Sequence, residues 1–128
     1  MRYGMLKETN YGFEEAISKI NVELQKEGFG ILARIDLNEK FKSRLGGIEF
    51  KKYTILEACN PKNAHKAILA EENVGLFLPC NIIVYEKGEK TVVVAIRPTI
   101  AMEATENKKV FEIAKEIEEA LTRVIKRI

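Results

Sequence analysis

Five residues between positions 59 and 81 carry most of the chemistry this chain could perform: Cys59, Asn60, His65, Cys80 and Asn81. They include both cysteines and the only histidine, and the dipeptide Cys-Asn occurs twice, at 59–60 and at 80–81. A thiol becomes a nucleophile or a metal ligand once its pKa is lowered, and a helix N-terminus or a neighbouring cation lowers it. Cys59 sits directly before Asn60-Pro61, a strong helix start with Asn as N-cap and Pro at the first helical position. The amide end of that helix would then favour a thiolate at Cys59, and His65, one turn further on, is placed to pair with a thiol or take a metal. Cys59, His65 and Cys80 together make three ligands, one short of a closed structural zinc site. Asn60 and Asn81 add amide donors and acceptors suited to a small polar ligand.

Each of these residues also has an ordinary explanation. Cysteine is among the most buried residue types and packs as a small hydrophobe. Asn60 is already accounted for as a cap, and a single histidine on a helix is most often a surface group. Three readings therefore stand side by side: a ligand or metal pocket, a redox pair with Cys59 as the reactive thiol and Cys80 as resolver, and a purely structural role.

The elements that must position these residues follow from the hydrophobic pattern. Met1 to Glu8 alternates weakly as a first strand, and Thr9-Asn10 offers a cap for a helix with Phe13, Ala16, Ile17, Ile20 and Leu24 on one face and Gly28 past its end. Phe29 to Leu37 and Phe50 to Ala58 read as strands, with a short basic stretch between them, from Asn38 to Arg44, that has room for one helical turn. A helix from Pro61 ends by Asn73, with Ala64, Ala67 and Ile68 inward, and an apolar lead reaches Pro79. Cys80 to Tyr85 and Lys90 to Ile96 flank Glu86-Lys87-Gly88-Glu89 as a hairpin. After an irregular stretch with Ile100 and Met102 as core plugs, the last helix runs from Asn107. Its stripe is Val110, Phe111, Ala114, Ile117, Leu121, Val124, Ile125 and Ile128. The order β-α-β-β-α-β-β-α predicts an α+β domain spanning 1–128, a sheet of about five strands with helices on one face. If the strands ending at Cys59 and beginning at Cys80 are antiparallel neighbours, both Cys-Asn pairs meet at one rim of the sheet. If they are parallel, no shared site exists.

Composition excludes some classes. Twenty-one basic residues against 19 acidic ones give a net charge of +2, too balanced for binding nucleic acid through bulk charge. The basic cluster Lys40, Lys42, Arg44, Lys51 and Lys52 is interrupted by Glu39 and Glu49 and reads as a solvated face. No nucleotide-cradling loop is present, since Gly46-Gly47 stands alone, and the paired glutamates lie on helix exteriors. No apolar run approaches the ~20 residues a membrane helix needs, and no secretory leader opens the chain, so a cytoplasmic protein with reduced thiols and no membrane partner is expected. A Glu/Lys-rich surface with one Asp and one Gln is the pattern of thermophile proteins.

Three segments, GFGILARIDL at 28–37, EACNPKNAHKAI at 57–68 and LFLPCNIIVYE at 76–86, resemble the domain of unknown function 302 family. The resemblance implies a TATA-binding-protein-like arrangement, a curved and mainly antiparallel sheet with helices packed against it. That favours the shared rim and implies a homodimer. It implies no reaction, so cofactors stay undefined. The leading expectation is an uncharacterised protein binding a small molecule or metal at the Cys-Asn rim. The alternatives are a thiol redox enzyme or sensor and a dimeric interaction module without a catalytic site.

Overall fold

The computed structural model describes residues 1–128. Five strands, β1 (Gly4–Thr9), β2 (Gly30–Asp36), β3 (Tyr53–Cys59), β4 (Cys80–Lys87) and β5 (Lys90–Ile96), form one open sheet in the order β1-β5-β4-β3-β2. Every neighbouring pair is antiparallel. The helices are α1 (Phe13–Lys26), α2 (Leu37–Arg44), α3 (Pro61–Ala70), α4 (Pro98–Ala101) and α5 (Lys108–Arg127). The α+β class and the expected order of strands hold, and no helix is long and apolar enough to cross a membrane.

The core lies between one face of the sheet and helices α1 and α5. From the sheet it takes Leu56, Ala58, Ile82, Val84, Val93 and Ala95, alternate positions of the three central strands. Ile20 and Leu24 of α1 and Val110, Ile117, Leu121 and Val124 of α5 close it from the other side, all essentially buried. The C-terminal ends of these helices are also joined by charge. Glu27, just past α1, accepts from Arg123 at 2.9 Å and from Arg127 at 2.8 Å. Gly28 then turns the chain with φ +79°, a left-handed conformation in which an L side chain is strained.

Several element boundaries differ from the sequence reading, each for a local reason. Thr9 does not cap α1, because it stays in β1 and its hydroxyl donates to the Thr91 carbonyl at 3.0 Å. Gly12 takes the cap position, and Glu15 reaches back to its N–H at 3.4 Å. The basic stretch forms two turns of helix rather than one, although α2 buries no residue. It is held by Asn38 Oδ1, which accepts from the Tyr53 N–H at 3.2 Å, and by an edge-on contact between Phe41 and Phe50. Helix α3 stops at Ala70, and the apolar lead to Pro79 coils as a 3₁₀ helix, Glu72–Phe77, that buries Val74. In α3 the inward positions are Asn63 and Ala67, whereas Ile68 is exposed. In α5 the stripe holds except at Phe111, which is 52% exposed; Ile113 takes the inward place.

The outer strand β2 is not regular. Ile31 pairs with Ala58 and Ala33 with Glu57, so Leu32 is an extra residue, a bulge that leaves its side chain exposed.

Candidate functional site

Strands β3 and β4 are antiparallel, with Ala58 opposite Cys80 and Glu57 opposite Asn81. The two Cys-Asn pairs therefore arrive at the same end of the sheet. There Cys59, Asn60 and Cys80 line one small void with Ala64 of α3 and Pro79. Asn60 does two jobs at this corner. Its Oδ1 accepts from the Asn63 N–H at 3.2 Å, capping α3, and its Nδ2 donates to the Glu27 carbonyl at 3.3 Å. A helix start and a helix end are thus tied through one amide.

Not all of the predicted residues join this corner. His65 lies on the solvent side of α3 and is exposed, and it is not among the residues that line the void. Asn81 is exposed across from Glu57, because the side chains of β4 alternate and Cys80 takes the buried side. The Cys59–His65–Cys80 metal centre is accordingly not assembled; nowhere do three His, Cys, Asp or Glu side chains come close enough to hold an ion.

The electrostatics of the thiols also run opposite to the sequence argument. Burial pushes the Cys80 thiol up to about 12, with the neighbouring Cys59 adding to the effect, and burial raises Cys59 as well. Desolvation disfavours the charged thiolate at both positions. Both cysteines are free thiols. The void they line has a volume of about 10 Å³, the room of one water at most.

The larger concavity lies on the opposite face of the sheet, which no helix covers. The register that sets Ala58 against Cys80 also sets Tyr53 against Tyr85, and these rings stack with centroids 5.6 Å apart and planes 10° apart. Beside them Ile83 and Val94, opposite one another in register, form an apolar floor. Tyr3 stands at the far side, and Lys51 and Lys87 complete a trough of about 510 Å³. The Lys51 ammonium lies 4.7 Å from the centre of the Tyr85 ring and has no carboxylate within 4 Å, while Lys87 has Glu8 at 3.9 Å. No acid lines the trough. This site depends on the register: Ala58 opposite Cys80 places Tyr53 opposite Tyr85, on the face the core does not use. A second groove, about 430 Å³, runs between α3 and α5 past Lys66, Leu69 and Glu112.

The described geometry has close counterparts. The family model for the domain of unknown function DUF302 matches residues 5–128. The fold is similar to that in the crystal structure of the uncharacterized conserved protein DUF302 from Bacillus stearothermophilus, with a TM-score of 0.92 and 29% identity over 99% of this chain and 98% of that one. No curated protein matches the sequence.

Proposed function

Starting from the fact that this chain belongs to the domain of unknown function DUF302 family, we propose that it is a binding domain, without covalent chemistry at its cysteines, that takes its ligand on the open face of the sheet. The aromatic and apolar lining of the trough, taken with its volume, carries this reading. The trough beside Tyr53 and Tyr85 has about 510 Å³, within the range of small-molecule sites, whereas the void at Cys59 and Cys80 has about 10 Å³. The test is a fragment screen followed by amide chemical shifts. Hits are expected to move Ile83, Tyr85 and Val94 and to leave residues 58–60 and 80 in place. Shifts confined to the cysteine rim would overturn the reading.

The rim itself keeps a second reading as a small-ligand site, supported by the two thiols sharing one void. Native mass spectrometry of chelator-free protein separates the two. An apo mass in both the wild type and Cys59→Ala fits the open-face reading, and an adduct that vanishes in Cys59→Ala moves the site to the rim.

A homodimer belongs to the same proposal. Leu69 of α3 and Leu76 of the following 3₁₀ helix are 74% and 85% exposed, and a second copy seated on them would remove that apolar surface from water. Light scattering across concentrations is expected to give the dimer mass, and Leu69→Glu with Leu76→Glu the monomer mass. A monomer at every concentration removes this part.

A further inference from the structure

The lining of the trough narrows its ligand to one chemical class. Resting on the reading that the open face is the binding face, we propose that it accepts a planar aromatic molecule carrying an acidic group. Three features support this, and each limits a different property of the ligand.

Flatness comes from the floor. Ile83 and Val94 are neighbours on two pleated strands and present a level apolar surface, with the stacked Tyr53–Tyr85 pair on one side and Tyr3 on the other. A flat ring system lies on such a floor with its edges toward the tyrosines and loses little conformational entropy on binding, because it has few torsions to fix. Edge contact with the tyrosine rings adds to the burial of the ligand on this floor.

Charge comes from the rim. Lys51 and Lys87 are the charged side chains of the lining, and both are cationic. The Lys51 ammonium is already held in place over the Tyr85 ring, so its rotational freedom is partly spent before a ligand arrives. With no carboxylate within 4 Å, it lacks an anionic partner. Glu8, 3.9 Å from Lys87, offsets part of that second charge, which leaves Lys51 as the stronger anion anchor of the two.

Size comes from the volume, which admits a two- or three-ring molecule and exceeds what a simple oxyanion would fill. A bare anion would also leave the apolar floor wet, and a neutral hydrocarbon would leave the ammonium groups without a partner. The combination in one molecule uses both.

Three probes distinguish the possibilities: naphthalene-2-sulfonate, 2-naphthol and methanesulfonate, each titrated into the full chain by calorimetry with amide shifts as the locator. The expected result is binding of naphthalene-2-sulfonate at least tenfold tighter than that of 2-naphthol, no saturable binding of methanesulfonate, and weakening as salt rises. Lys51→Gln is expected to bring the sulfonate down to the naphthol level. Tyr3→Ala, at an exposed residue, and Tyr85→Leu, which keeps apolar bulk, are each expected to weaken both aromatic probes by fivefold or more. Equal affinity of sulfonate and naphthol, with Lys51→Gln silent, would overturn the acidic class and leave the open-face reading standing. Absence of trough shifts with either aromatic probe, or a dimer in which Ile83 and Val94 are protected without ligand, would overturn both.

Discussion

The side-chain amide of Asn60 donates to the backbone carbonyl of Glu27 at 3.3 Å, while the carboxylate of Glu27 holds Arg123 and Arg127. One short contact therefore links the end of β3, the start of α3, the end of α1 and the last turns of α5. Asn60→Ala removes the cap on the Asn63 N–H and the donor to Glu27 together. The expected loss is about 1–2 kcal/mol in urea unfolding. Asn60→Asp keeps the cap acceptor and loses only the donor, so it should cost less. Equal costs for the two variants would mean that the Glu27 bond carries the whole effect.

The thiols make a prediction at alkaline pH. Cys80 ordinarily titrates near 9 and is pushed up to about 12 in the folded chain by burial. A raised folded pKa means that the folded state holds its proton where the unfolded state releases it. The stability associated with Cys80 is therefore intact below pH 9 and is lost as pH rises from 9 toward about 12. Cys80→Ala removes this dependence, so the wild type should lose more stability than the variant between those limits in thermal melts. Iodoacetamide at pH 8 should leave Cys80 unmodified until the protein is unfolded; rapid labelling of the native protein would restore the redox reading.

At the acid end the relevant group is Asp36. The Thr54 hydroxyl donates to it at 2.7 Å and Arg34 at 3.0 Å, and together they hold its carboxyl below its ordinary 3.8. A depressed folded pKa contributes stability above pH 3.8 that is lost as pH falls through the folded value. Thr54→Val should cost about 1 kcal/mol at neutral pH, and the gap from wild type should narrow below pH 3.8 as Asp36 takes up a proton. A gap that is constant with pH would assign the cost to packing alone.

Packing itself is tested within α5. Leu121 is fully buried and Phe111 is largely exposed. Leu121→Ala is expected to destabilise by about 2–5 kcal/mol, and Phe111→Ala to stay within about 0.5 kcal/mol of wild type. Chemical denaturation of both variants under one set of conditions decides the matter.

These differences mark how far the sequence could be read. Periodicity locates α1 and α5, because each buries one continuous apolar face and that pattern is written directly in residue order; the β4–β5 hairpin is legible instead from two apolar runs flanking a glycine turn, and β5 is buried on both faces. The Cys-Asn repeat left the direction of β3 and β4 open, and the family resemblance favoured the antiparallel pairing they adopt. What residue order could not carry was depth. The same Cys59 next to a helix start would be activated in open water, whereas beside Pro79 and Ala64 burial raises its thiol, and only the folded neighbours decide which effect acts. Helix α2 was similarly underread, because it buries nothing and depends on Asn38 and on one aromatic contact rather than on a stripe. The open-face trough was missed for a different reason. Tyr53 and Tyr85 look like ordinary strand residues until pairing brings them opposite each other, and nothing local distinguishes a tyrosine that packs inward from one that faces out.

The bulge at Leu32 has a consequence for how the sheet meets other chains. An outer strand with regular pleat offers a row of free amide and carbonyl groups that a stray strand can extend. In β2 that row is broken between Ile31 and Ala33, and an intruding strand in register with one half is out of register with the other. Arg34 and Asp36 follow within the same strand, each already committed to a partner. On this side the sheet is therefore a poor template for a sixth strand, and a single inserted leucine disfavours growth through β2.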